Sequence, residues 1–335
     1  MLLKIVISLI SLYEYGYCYD SSDGIYNEEE TRMIFELVAG ATAIDKTSCI
    51  ASSSQIPNDH RLVEEFEVTC DILTGTCAGY IVEVKSKKQL VVSFQPTLTL
   101  FQFVAEILST GFPDVNFYNI GEVVFYFNVA FESLWSNVKK VLTKEEFKNY
   151  DVIFTGHSLG GSIASLTCLA TVLEKVRNSS QVKVITFGEP RTGNRDFAKN
   201  FDKLIEYSFR IVHRGDVLAR SPPCHKDMKD FQTMLCDEYS SKGPYHHKTE
   251  VWYPYGMKPG ANYSVCHGGE NAHCGNSFQI DFRNFAQGLT DHRKYFDKMV
   301  SQYGRFGCNK NREFDESEGF MGMMSTIIDF FNKHF

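Results

Sequence analysis

Ser158 stands in Gly156-His157-Ser158-Leu159-Gly160-Gly161, after the apolar run Val152-Ile153-Phe154 and before a segment whose apolar residues Ile163, Leu166, Ala170, Leu173 and Val176 keep helical spacing. The pattern reads as buried strand, sharp turn and helix, with a serine at the corner. Glycines two residues to either side remove the Cβ atoms that would collide as a strained corner closes. A bare Gly-x-Ser-x-Gly is also a common turn, and the flanking strand and helix separate the two readings. A serine at the carboxyl edge of a sheet is suited to nucleophilic attack, provided a base takes its proton and an acid orients the base. The amide of Leu159, in the first turn of the helix, is a candidate donor to a developing oxyanion.

The partners must arrive at the same sheet edge. Val182 to Phe187 reads as a further buried strand, followed by the loop Gly188-Glu189-Pro190-Arg191-Thr192-Gly193-Asn194. Tyr207 to Val212 is the next strand and runs into His213-Arg214-Gly215-Asp216. Asp216 is the candidate acid and Glu189 its competitor; the chain order serine, acid, histidine favours Asp216. Ten histidines compete as base. His246 and His247 precede the strand Glu250-Val251-Trp252-Tyr253, while His292 lies later, in Asp291-His292-Arg293-Lys294-Tyr295-Phe296, and order favours it modestly. Upstream, the strand Leu90 to Phe94 leads into Gln95-Pro96-Thr97. The loop after that strand commonly supplies a second oxyanion donor, which makes Thr97 a candidate; the plain alternative is that Pro96 ends a strand. Residues 98–109 carry one narrow polar stripe in an apolar helix, so they are either core or a lid. Helices are also predicted around Met33 to Ala41 and over Glu122 to Leu142, and a hairpin over residues 63–84. Strand, helix, strand repeats predict an α/β fold with a mostly parallel central sheet and flanking helices.

The chain of 335 residues is 43% hydrophobic and 22% charged, which supplies a sizeable core and excludes a disordered chain. A formal net charge of −7 leaves no basic footprint for nucleic acid. Residues 1–18 read as a secretory signal segment with a short apolar run from Ile5 to Leu12, and no later run is long enough to cross a bilayer. Ten cysteines suit an oxidising compartment. If Cys18 leaves with the signal and Cys168 is a buried thiol on the helix after Ser158, eight remain. Spacing suggests local pairs Cys70 with Cys77, Cys224 with Cys236 and Cys266 with Cys274, leaving Cys49 and Cys308. Zinc sites built on Cys224, Cys236, His246 and His247, or on Cys266, His267, His273 and Cys274, lack paired Cys-x-x-Cys spacing. Asn178-Ser179-Ser180 and Asn262-Tyr263-Ser264 are N-glycosylation sequons.

Taken together, Val91-Val92-Ser93-Phe94, the segment from Thr155 through the serine corner, Thr186 to Asn194, Val212-His213 to Asp216, Glu250 to Tyr253, and Asp291-His292 with Tyr295-Phe296 resemble the class 3, fungal-type triacylglycerol lipases, and within them a secreted, cysteine-rich animal branch. The resemblance spans about Cys49 to Cys308. It implies an α/β-hydrolase fold over residues 19–310 and a secreted serine esterase that acts on lipid esters at a lipid–water interface, with no cofactor and no metal. Carried onto this chain it implies Ser158 as nucleophile, Asp216 as acid, His292 as base, Thr97 and Leu159 as the oxyanion hole, and residues 98–109 as a lid.

Two stretches depart from the family pattern. Gln95-Pro96 replaces an Arg-Gly before the threonine, and proline cannot keep a glycine-specific conformation. Losing an oxyanion donor costs roughly 100- to 1,000-fold in turnover, so the alternative is a lipid-binding protein of the same fold with little catalysis. Val217-Leu218-Ala219-Arg220-Ser221 replaces a Val-Pro arrangement before Pro222-Pro223, a change expected to touch loop stiffness more than chemistry. Residues 311–335 form a tail with an apolar stripe at Phe320, Met323, Met324, Ile327, Ile328 and Phe331, fit to dock on the core or to lie on a membrane or partner.

Overall fold

Three glutamates and a capping asparagine start the first helix. The Asn27 side chain accepts the amide of Glu30, and acidic residues sit at the positive end of α1 (Glu28–Gly40). The computed structural model describes residues 25–70, 76–95, 114–225, 236–237, 240, 243–278 and 284–308. The expected signal segment, Pro96 and Thr97, the helix expected over residues 98–109 and the C-terminal tail lie outside the described residues.

After α1 come α2 (Lys46–Ser52), β1 (His60–Thr69), β2 (Thr76–Val84), β3 (Gln89–Phe94), β4 (Asp114–Asn116), β5 (Glu122–Val124) and α3 (Phe125–Leu142). The serine corner joins β6 (Asp151–His157) to α4 (Leu159–Leu173), and β7 (Val182–Phe187), β8 (Gly193–Asn194), α5 (Arg195–Leu204) and β9 (Ser208–His213) follow. The rest is β10 (Pro244–Tyr245), β11 (Glu250–Tyr253), β12 (Ser264–Cys266), α6 (Phe285–Arg293), the ribbon β13 (Lys294–Tyr295) and β14 (Lys298–Met299), and α7 (Val300–Arg305).

The main sheet has the order β1-β2-β3-β6-β7-β9-β11-β12. Neighbours from β3 to β11 are parallel, and the outer pairs are antiparallel. The continuous apolar runs have the meaning expected of a parallel sheet covered on both faces. Val152, Phe154 and Val184 pack into one core with α3 and α4, while Ile153, Ile185 and Phe187 pack into the other with α1. All of α4 from Leu159 to Thr171 is buried. It ends at Leu173 rather than Val176, because the amides of Val176 and Arg177 turn back to the carbonyl of Thr171.

Glu122 to Val124 belongs to a strand and not to the helix predicted there. β5 pairs with β4, and Val123 sits opposite Gly193 of β8, so a second sheet of order β10-β8-β5-β4 forms from segments far apart in sequence. The partner is non-local, and helical periodicity alone runs through such a boundary.

Four disulfides join Cys49 to Cys308, Cys70 to Cys77, Cys224 to Cys236 and Cys266 to Cys274; Cys168 is a buried thiol on α4. The cysteines of both zinc alternatives are therefore bonded to sulfur. No helix of the described residues is long and apolar enough to cross a membrane.

Candidate active site

Ser158 occupies the corner between β6 and α4 with φ 58° and ψ −129°, a conformation that costs a non-glycine residue. Its amide donates to the carbonyl of Phe187 at 2.9 Å, and its carbonyl accepts the amide of Gly161 at 2.8 Å. A Cβ on Gly156 would stand 2.3 Å from the carbonyl of Gly160, and one on Gly160 would stand 2.6 Å from the oxygen of Phe94. The corner closes only with glycine at both places. Leu159 opens α4, so its amide is among those that a helix start leaves without an intrahelical partner. Thr97 lies outside the described residues.

β9 runs parallel to β7, which brings the residues after it to the same edge as Ser158. There Asp216 is fully buried. Its Oδ1 accepts the amides of Leu218 at 2.9 Å and Ala219 at 3.0 Å, and its Oδ2 accepts the hydroxyl of Tyr295 at 2.5 Å. His292, in the last turn of α6, places Nδ1 at 2.9 Å from both carboxylate oxygens. A carboxylate only accepts, so Nδ1 carries the hydrogen and Nε2 presents its lone pair. His292 Nε2 and Ser158 Oγ are both buried and have no hydrogen-bond partner among the described residues. Burial alone would raise the Asp216 carboxyl. The charge and hydrogen bond of His292, with the Tyr295 hydroxyl and the Ala219 amide, outweigh it and hold the group at about 2. The Tyr295 hydroxyl is pushed well above its ordinary value by burial and by the Asp216 charge, so it remains a donor.

Residues 218 and 219 each give an amide to Asp216, and a proline at either position has none to give.

The competing acid and base belong elsewhere. Glu189 Oε1 accepts from Thr192 at 2.8 Å and lies 3.1 Å from His247 Nε2, while its Oε2 accepts from Thr186 at 2.6 Å. His247 Nε2 is also 3.3 Å from Ser165 Oγ and its Nδ1 lies 3.0 Å from the carbonyl of Lys248, so unlike His292 it has no ring nitrogen left over. His246 lies beside Glu270, which accepts two hydrogen bonds from Arg191 at 2.8 Å each. These buried groups tie the loop after β7 to the segments after β10 and after β12.

Two residues that the motifs did not single out support the acid and base. Asp291 Oδ2 accepts the amide of Gly215 at 3.1 Å, which fastens the acid loop to the residue before the base. Gly188, at φ 58°, leaves room for both: a Cβ there would be 2.8 Å from Asp216 Oδ2 and 3.0 Å from His292 Nδ1 and Cε1. Tyr295 stood in the sequence only as part of a motif; its place three residues after the base was the available signal. Among the described residues no cluster of His, Cys, Asp or Glu could hold a metal ion.

Such a set of groups can transfer a proton from a serine to an imidazole whose other nitrogen is anchored on a carboxylate. Residues 91–226 match the family model described as lipase (class 3). A lipase of Caenorhabditis elegans is 38% identical over 320 residues, 93% of this chain and 91% of that protein. A lipase of Rhizopus niveus is 25% identical over 257 residues, 76% of this chain, and the chain spans 58% of its length. The crystal structure of a lipase from Rhizopus microsporus var. chinensis superposes with a TM-score of 0.63 at 24% identity, over 82% of this chain and 88% of that one. The fold is that of the α/β-hydrolases.

Proposed function

Because this chain belongs to the class 3 lipase family and is a carboxylic ester hydrolase, we propose that it cleaves lipid esters with Ser158 as nucleophile, His292 as base and Asp216 as the acid that orients it. The observation that carries the assignment is the state of His292. Its Nδ1 is committed to both Asp216 oxygens, while its Nε2, like the Oγ of Ser158, is buried and has no hydrogen-bond partner among the described residues.

In the first half-reaction His292 Nε2 takes the Ser158 proton as Oγ bonds to the acyl carbon, and the carbonyl electron pair moves onto oxygen. The amide of Leu159 and the amide or hydroxyl of Thr97 receive that oxyanion, each such donor being worth roughly 100- to 1,000-fold. Collapse breaks the ester bond, and the imidazolium returns its proton to the departing alcohol oxygen. In the second half, water gives a proton to His292 as its oxygen attacks the acyl-enzyme, and the fatty acid leaves with Ser158 restored. Asp216, its pKa lowered to about 2, keeps its charge next to the imidazolium that forms during turnover.

The substrate is a lipid ester presented at a lipid–water interface, and the four disulfides fit a chain that works outside the cell. Labelling by a fluorophosphonate probe tests the assignment. Wild type is expected to label and Ser158→Ala is not, with both equally folded. A folded wild type that stays unlabelled, with detergent present as well, rejects the catalytic roles and leaves lipid binding as the reading.

A further inference from the structure

We propose that His157 and His213 are positioning residues that fix the main chain of His292 by donating a hydrogen bond each to the consecutive carbonyls of His292 and Asp291. The proposal rests on the reading of His292 as the base.

The need for them follows from where α6 ends. The last four carbonyls of a helix have no intrahelical partner, and α6 stops at Arg293, so those of Asp291 and His292 fall in this group. Both residues are buried, and a buried carbonyl left unpaired is costly. Asp291 receives one bond from the amide of Lys294. The rest comes from imidazoles. His157 Nε2 lies 2.7 Å from the carbonyl of His292, and His213 Nδ1 lies 3.1 Å from the carbonyl of Asp291. A carbonyl cannot donate, so His157 is protonated on Nε2 and His213 on Nδ1. His157 Nδ1 has no partner, which agrees with that tautomer.

The two histidines come from the strands that deliver the other reacting groups. His157 precedes Ser158 at the end of β6, and His213 ends β9, three residues before Asp216. Each strand therefore carries a reacting side chain to the sheet edge and also holds the base relative to it. The geometry gives a second reason for imidazole at position 157. Its ring lies 4.5 Å from the ring of His292, tilted by 33°, and 5.5 Å from Tyr295. Burial, with His292 alongside, lowers its pKa to about 3, so it stays neutral beside a ring that becomes cationic during turnover. Burial likewise lowers His213.

The two tautomers allow a test that separates the hydrogen bond from simple space filling. The amide nitrogen of glutamine reaches the place of Nε2, and that of asparagine the place of Nδ1. His157→Gln and His213→Asn keep the donor where it is needed, whereas His157→Asn and His213→Gln displace it. Turnover of a water-soluble p-nitrophenyl ester is expected to fall about 100-fold in kcat in the displaced variants, with KM within about twofold, and to stay within about tenfold of wild type in the matched ones. Equal kcat in the matched and displaced variants of a site, or a loss confined to KM, overturns the proposal. Should a displaced variant not fold, the matched one decides, and a folded matched variant that loses about 100-fold in kcat overturns it too. Ser158→Ala and His292→Ala serve as controls: if either retains wild-type turnover, it is the reading of the base that fails.

Discussion

A methyl group at residue 188 would point at both halves of the acid–base pair. In Gly188→Ala the new carbon would start 2.8 Å from Asp216 Oδ2 and 3.0 Å from His292 Nδ1, and relief to ordinary contact requires movement of roughly half an ångström. Asp216 has little freedom to retreat, since two amides and the Tyr295 hydroxyl hold its oxygens in place. The shift therefore falls on the imidazole or on the loop. Misplacement by about 1 Å costs about 100-fold in rate, so half that distance corresponds to about tenfold in kcat. The left-handed φ of 58° adds a cost of about 1–2 kcal/mol for a Cβ, offset by about 0.5–1 kcal/mol from a stiffer unfolded chain. Steady-state hydrolysis of p-nitrophenyl butyrate, with a thermal melt of the same samples, measures both. The expected result is a kcat lowered about tenfold, an unchanged KM and a Tm lowered by about 1–2 °C. A variant that loses the Tm and keeps the wild-type kcat refutes the claim that contact at Gly188 sets the acid–base geometry.

Ser158→Gly should be more stable than Ser158→Ala by roughly 0.5–1 kcal/mol, both inactive, because only glycine relieves the φ of 58°; a lower Tm for the glycine variant contradicts this. Tyr295→Phe removes a donor from an ionised carboxylate and should destabilise by about 1.5–3 kcal/mol at neutral pH. The folded pKa of Asp216 lies below its unfolded value, so the stability it contributes is present above about pH 4 and is lost as pH falls through about 2. The Tm difference between Tyr295→Phe and wild type should accordingly shrink over that range, and a pH-independent difference argues against the coupling. His246 is held neutral to about 3, first by burial and then by Arg210. Below about pH 6.5 the unfolded chain binds a proton there that the folded one does not, so stability declines with acidification by up to about 1.4 kcal/mol per pH unit until about pH 3. His246→Leu should flatten the dependence of Tm on pH between those limits.

Local pattern carried the sequence reading as far as the strands, the serine corner and its glycines. Val182–Phe187 and Glu250–Tyr253 agree with β7 and β11 in their bounds, and burial on both faces explains adjacent apolar residues such as Val184 and Ile185. The four disulfides follow the pairs that spacing suggested. What escaped depends on contacts between distant residues. The strand at Glu122–Val124 exists because Val123 meets Gly193, and nothing in the amphipathic run after it marks that boundary. Order alone ranked Asp216 over Glu189 and His292 over His247. The structure adds a criterion that order lacks, since each carboxylate has its own histidine and, of His247 and His292, it is His292 that keeps a ring nitrogen without a partner among the described residues. Arg191 and Glu270, 79 residues apart, pair in the interior without any motif that announces them.

The bond from Cys49 to Cys308 closes residues 49–308 into a covalent ring, and Ser158, Asp216 and His292 all lie inside it. A protease that cuts one exposed loop within the ring opens it without releasing a fragment. Nucleophile, acid and base then remain on one molecule, each still seated by its own strand or helix, so nicked material can keep its site together for as long as the sulfurs stay oxidised.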